Sequence, residues 1–589
     1  MGSRRMFLGV RRSKILRDFG LVLAVEVAAA SLLSSMLAPA ARAQAAAAPP
    51  LVTSPIERAR PEAQPRAVPP LLPTPAPGAP EVPAGPPVNV AAVDIQGATA
   101  YKPGELEPYY HDIVGKSVPL SEVSAVLQQI QTKYRNDGYV LTVVRGTVEP
   151  VDGRSTLRIR VIEGFISDVK LDGDIGPVGV LIYNFLNKLT AIRPVNIADI
   201  ERALLLSQDV PGVSVRAILR PGTGEAGAVE LIGQVGRKPF GGFVQYDNRA
   251  APFAGPHELL VGAQANSFTS AGERTEVILY DTPFNEEQMF GQVDLEGFVG
   301  SSGLKLRAYG GYGPSEPGGP LGEVGFRSRL TVAGVSASYP IIRTRPISLN
   351  VSLAFDVTRA EISETTDQTT GARQQSSLDE LRILRLGETL DFQDQTLGLG
   401  LVSANTVALT AHQGLSGLGA SITNDRGARA SFFKATGELT RVQNLFGFSG
   451  GLVALKLSGG GQFTDDVLPS NEKYFLGGSK FGRGYFSGEV TGDRAVGATA
   501  ELQLNTSTKW PVELGLQPYV FYDKGYAWNL AAGDLNQNIA SAGVGVRFSY
   551  TQQVSLELEG DRRFIRRPTG AEVSPLSPYA GFVTVIVRF

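Results

Sequence analysis

The chain has 589 residues, of which 19% are charged, 8% are aromatic and 68 are glycine, and its formal charge is −2. So small a charge leaves no large field for nucleic acid, and the absence of cysteine removes disulfide frameworks, cysteine–zinc sites and thiol catalysis. Abundant glycine and aromatics, with few long apolar runs, favour a large all-β portion over a helical enzyme.

The first 43 residues read as an export signal. Arg4, Arg5, Arg11, Arg12, Lys14 and Arg17 form a basic region, Leu21 to Leu37 is apolar, and Ala41-Arg42-Ala43 gives a small-x-small cleavage pattern. Glu26 interrupts the apolar run, which argues against a permanent span. Residues 44–87 are a proline-rich linker, from Pro49 to Pro87, and proline sustains neither a helix nor a sheet ladder.

An internal repeat follows, predicted over 88–163 and 164–238. Val93, Ile95 and Gly97 recur as Val169, Leu171 and Gly173, a strand running into a glycine turn. In the first copy Val123, Val126, Leu127, Ile130 and Tyr134 share one helical face, with Ser121 as the expected cap and Gly138 as the stop. In the second, Asn196 caps a helix whose inner face holds Ile197, Ile200 and Leu204, before Pro211 and Gly212. Each copy ends in a hairpin, the first turning at Asp152 and Gly153. The predicted order is β-α-α-β-β, twice.

From 239 to 589 period-2 alternation takes over. Leu502 and Leu504 alternate with Glu501 and Gln503, Leu556 and Leu558 with Glu557 and Glu559, and Val583, Val585, Val587 and Phe589 with Phe582, Thr584, Ile586 and Arg588. Segments of about ten residues with one apolar face suit a strand that meets lipid on one side. About sixteen antiparallel segments are predicted. Short turns, as at 300–303 and 550–553, alternate with long polar loops around 313–326, 362–378, 413–427, 463–493 and 564–578. With no water to pair backbone groups in lipid, such a sheet must close into a transmembrane barrel.

The longest loop holds Phe481, Gly482, Arg483, Gly484 and Tyr485, then Gly492, Asp493 and Arg494; the thirteenth segment holds Phe521, Asp523 and Gly525. These resemble the two signatures of the POTRA-barrel superfamily, the (V/I)RG(F/Y) loop and the FxDxG strand, with Phe481 and Gly482 departing from the aliphatic residue often found before the arginine. The tandem modules likewise resemble polypeptide-transport-associated (POTRA) domains. The resemblance implies a loop folded into the lumen, with Arg483 paired to Asp523. A guanidinium and a carboxylate make an orientation-specific pair, and the flanking glycines let the loop tip turn tightly.

Two such modules before a sixteen-stranded barrel resemble two-partner secretion transporters, the haemolysin and haemagglutinin secretion-activation family. That implies an outer-membrane protein with periplasmic N-terminal domains. Its partners would be a secreted exoprotein client bound by the POTRA domains, outer-membrane lipid and the barrel-assembly machinery, with Phe589 as the assembly signal and no nucleic acid. An insertase for barrel proteins and a passive porin are the alternatives. Many members of the family plug the pore with a leading helix; here only 56–63 is open to one, interrupted by Pro55, Pro61 and Pro65. No catalytic motif stands out, and His111, His257 and His412 are far apart without metal-ligand spacing, so neither enzyme activity nor a cofactor is expected.

Overall fold

The computed structural model describes residues 54–59 and 87–589, apart from short stretches at 152–153, 285–286, 368–370, 396–400, 424–426, 509–512, 552 and 571–573. The export signal, most of the linker and the Asp152–Gly153 turn lie outside the described residues. No described helix is long and apolar enough to cross a membrane.

The first α+β module has Ala92–Gln96 parallel to Arg154–Ile162, which pairs antiparallel with Val143–Val151. Helix Leu120–Asn136 covers this sheet with Val123, Val126, Ile130 and Tyr134, all buried, while Leu127 packs at the margin. Tyr134 meets the edge of Tyr101 at 4.7 Å and donates to Glu163 at 2.8 Å. Burial, and then that hydrogen bond, push its phenol well above the usual tyrosine range. Ser121 does not cap the helix. The chain enters from the short strand Lys116–Pro119, and the fixed φ of Pro119 starts the helix before Ser121, without a side-chain cap. Gly138 (φ +93°) follows its last turn.

The second module places Phe165–Gly173 parallel to Ala228–Arg237, which pairs antiparallel with Val213–Pro221. Helices Gly179–Asn187 and Ile197–Gln208 cover it. Asn196 caps the latter, accepting from the Ala198 N–H at 3.0 Å. The repeat extends to its turns. Gly97 and Gly173 both have positive φ, and a Cβ on either would lie 2.3 or 2.4 Å from the carbonyl oxygen of Val161 or Val235. Only glycine fits there. Asn196 also joins the modules, donating to the Asp137 carbonyl at 2.8 Å, beside the Ile197 N–H bond to the Gly138 carbonyl at 2.8 Å.

Sixteen antiparallel strands, from Phe240–Asp247 to Tyr579–Arg588, close into a barrel. Val277, Leu279, Leu353, Leu386, Leu502 and Val544 stand on its outside, whereas Gln292, Asp294, Glu501, Asp523 and Glu559 are buried within. This split follows from the alternation of side chains along a strand. The expected loop at 362–378 is strand over 362–367 and 372–378. The seventh and eighth strands, Ile347–Asp367 and Ala372–Asp394, run on as a paired hairpin above the rest of the barrel. Beyond the lipid band a strand is wet on both faces, so its polar sequence carries no alternation to mark it. Ser421–Ile422, within the expected 413–427 loop, pairs with Asp379 and Glu380 and widens the same sheet.

The second module is seated on the short-turn end of the barrel. Phe298, at the end of the fourth strand (Met289–Phe298), enters the module's core edge-on to Phe185 at 5.7 Å. Arg343, at the end of the sixth strand (Arg327–Arg343), holds the Asp209 carboxylate with two hydrogen bonds of 2.7 and 2.6 Å. The lumen also contains a turn of helix. Pro55–Ala59 lies against Leu260, Ile278, Tyr280 and Phe290 through Ile56 and Ala59, and Gln245 donates to the Ala59 carbonyl at 2.8 Å.

The last strand closes on the first through five residue pairs, Thr584–Asp247 to Arg588–Phe243. Phe589 adds reciprocal backbone bonds of 3.0 Å with Gly242, and Asn248 extends the seam with side-chain bonds to Gly581 and Val583. Phe589 is 58% exposed and so only partly buried. We propose that it is the assembly signal. Deleting it should cost about 1–3 kcal/mol, tolerable for a large barrel, yet sharply lower the amount of chain in the outer membrane. The same variant refolded in detergent should regain a heat-modifiable barrel. Wild-type abundance in the membrane would leave Phe589 as a girdle aromatic only.

Candidate functional site: an arginine loop inside the barrel

Between the eleventh strand (Gly451–Thr464) and the twelfth (Arg494–Thr508) the chain turns inward. Its two limbs pair briefly, Tyr474–Leu476 with Val490–Gly492. Gly477 and Gly478 have positive φ and let the tip fold back, with Gly477 N–H on the Phe481 carbonyl at 2.8 Å and Gly478 N–H on that of Tyr485 at 3.0 Å. The tip buries Leu476, Phe481, Arg483, Tyr485 and Val490 against the inner wall.

Arg483 is 4% exposed. Its backbone N–H donates to Asp523 Oδ2 at 2.7 Å and its Nε reaches the same oxygen at 3.4 Å. Nη1 binds Glu501 and lies 3.6 Å from Glu559. The guanidinium sits 3.5 Å from the centroid of the Phe521 ring, where cation–π attraction and desolvation act together. The signature strand, Leu514–Trp528, therefore supplies both a carboxylate and an aromatic floor.

The surrounding glycines and Tyr485 make room for this tip and pin it. Gly482 (φ +79°) turns against Ile539, and Gly484 donates to Ser541 Oγ at 3.2 Å while Arg563 binds its carbonyl. A Cβ on Gly525 would lie 2.9 Å from Leu476 Cδ1. The Tyr485 hydroxyl lies 2.8 and 2.7 Å from the Ala540 and Ile565 carbonyls, which share its one proton. Phe481, the bulky departure from the usual motif, lies over Gly460 and Gly497, where a Cβ would come within 2.9 and 2.8 Å of its ring. The structure thus brings Gly482, Arg483, Gly484 and Tyr485 together with Phe521, Asp523 and Gly525. Phe589 stands apart, at the seam.

Other members of the cluster escaped the motif reading. Glu501 and Glu559 were legible only as inward positions of alternating strands. Arg547 binds Glu501 at 2.6 Å and Glu557 at 3.1 Å, and lies 3.9 Å from the Tyr519 ring. Arg249, between the first strand and the second (Glu258–Asn266), binds Glu559 at 2.7 Å and the Arg483 carbonyl at 3.0 Å. No pattern in the sequence marked either. A buried ionic network of this kind gives a loop one defined seat, because each charge left unpaired would be costly.

Residues 393–548 match the model of the haemolysin secretion/activation protein ShlB/FhaC/HecB family, and residues 88–164 match the ShlB-type POTRA domain. The heme/hemopexin transporter protein HuxB of Haemophilus influenzae strain 86-028NP is 23% identical over 474 residues, 76% of this chain and 78% of that protein. Among solved structures, CdiB from Escherichia coli superposes with a TM-score of 0.69 at 16% identity, covering 88% of this chain and 93% of that one. CdiB from Acinetobacter baumannii gives 0.59 at 15% identity, covering 86% and 91%. At such identities these structures establish the shared fold.

Proposed function

We propose that the chain is a haemolysin secretion/activation transporter, an outer-membrane barrel that secretes a partner exoprotein, as the match of residues 393–548 to that family supports. The POTRA modules capture an extended client in the periplasm. Their sheets leave Ala92–Gln96 and Val143–Val151, then Phe165–Gly173 and Val213–Pro221, as edge strands, and an edge pairs with an extended chain without demanding a sequence. The client then passes through the lumen, and its folding outside draws the rest across. The carrying observation is the loop tip seated inside the barrel by Arg483, with the helical turn Pro55–Ala59 also inside, against the second to fourth strands. A lumen filled from two sides suits a gated path better than a diffusion pore.

The partner's identity does not follow from this chain; the gene beside it is the first place to look. When that exoprotein is produced with the transporter, it should accumulate in the medium. Without the transporter it should stay in the periplasm. Equal release in both cases would refute the assignment.

A further inference from the structure

The long loop is gripped at a second point, on its descending limb. Glu472 closes the short helical turn Ser470–Glu472 and is 5% exposed. Its carboxylate accepts from Arg385 Nη2 at 3.0 Å and pairs with Lys434 Nζ at 2.7 Å. Its backbone carbonyl accepts from the same Lys434 ammonium at 2.7 Å and from Gln462 Nε2 at 3.2 Å.

The wall is built for this carboxylate. Arg385 on the eighth strand stands directly opposite His412 on the ninth (Ser403–Gly414), which stands opposite Lys434 on the tenth (Phe433–Phe448). Three nitrogen-bearing side chains thus form one row across adjacent strands, all facing the lumen. Asp356 steadies Arg385 at 2.5 Å and is itself held by the Tyr309 hydroxyl at 2.8 Å; the His412 ring bridges Arg385 at 2.6 Å and Thr436 at 3.0 Å. The carboxylates of the Arg483 network come instead from the twelfth, thirteenth and fifteenth strands.

We infer that Glu472 is a second, independent latch of the lumen loop, a positioning residue that holds the descending limb against the Arg385–Lys434 wall and keeps that side of the resting pore shut. The loop then spans the lumen between two ionic clasps, and losing one opens its half while the other stays closed. A buried carboxylate held by the buried Lys434 and the part-buried Arg385 is costly to detach, so this limb stays seated at rest.

The test uses the full-length protein in planar bilayers. E472A should remain a heat-modifiable barrel and show a several-fold rise in resting conductance, while Arg483 stays as resistant to trypsin as in the wild type. R385A should raise that conductance by no more than E472A does, because Lys434 still holds Glu472, and the double variant should not exceed E472A, because the Arg385 contact is already lost there. If E472A misassembles, E472Q keeps the shape and removes only the charge. Wild-type conductance in a folded variant, additive effects, or trypsin cleavage at Arg483 rising in step would each overturn the latch. The inference rests on the loop closing the lumen, and deletion of 477–489 separates the two ideas. If that deletion leaves conductance unchanged, closure by the loop fails. If it raises conductance and E472A does not, only the latch fails.

Discussion

Arg483→Ala should abolish release of the client into the medium while the barrel still inserts and shifts on heating. Arg483 lies within 4 Å of Asp523, Glu501 and Glu559 in a site closed to water. Its removal takes the guanidinium from Asp523, which keeps the backbone N–H of residue 483, and one cation each from Glu501 and Glu559, which keep Arg547 and Arg249. Breaking a buried pair from one side costs about 3–5 kcal/mol, which lowers the docked population of the tip by about a hundredfold or more. The sixteen-stranded ladder does not depend on that contact, so the defect falls on the loop. Arg483→Lys should recover little, because an ammonium can neither span Asp523 and Glu501 together nor stack flat on Phe521. Client in the medium is measured beside heat-modifiable barrel in the membrane. Normal export by the alanine variant would remove the loop from the mechanism.

Deleting 88–163 should leave a folded barrel that no longer captures client. The second module carries the contacts to the barrel, Phe298 in its core and Arg343 on Asp209, and both survive the deletion. The first module meets the second through the Asn196 joint and Leu141 at the margin of its core, so its loss bares a helix start and one edge of that core while the contacts to the barrel remain. With it go two of the four sheet edges and the parallel strand pair at its centre. Export should fall below detection, and a purified 88–238 fragment should bind the client's N-terminal region by calorimetry. Undiminished export from the shortened chain, or a well-folded fragment that binds nothing, would make the modules spacers.

Much of this architecture was legible because two periods carry it. The 3.6-residue spacing of Val123, Val126, Ile130 and Tyr134 marked a helix that buries those four side chains. The period-2 pattern of Glu501, Leu502 and Gln503 marked a strand with one wet and one lipid face. Local signals failed where the environment departs from those two cases. The hairpin of the seventh and eighth strands is exposed where it runs on past its neighbours, so polarity there signalled a loop. At the site, Arg483 and Asp523 stand out because glycine and aromatic neighbours frame them in sequence. Arg249, Arg547 and Glu472 reach their partners across 310, 46 and 87 residues, and no short-range pattern encodes that.

The path of the client is the claim on which everything else depends, and site-specific photocrosslinking during export tests it directly. A crosslinker at Ile278, on the inner wall beside the Pro55–Ala59 turn, should trap the exported chain only while transport is under way. The same crosslinker at Leu353, on the lipid face, should trap none. Adducts from the lipid face, or efficient export with no adduct from inside the barrel, would contradict a route through the lumen.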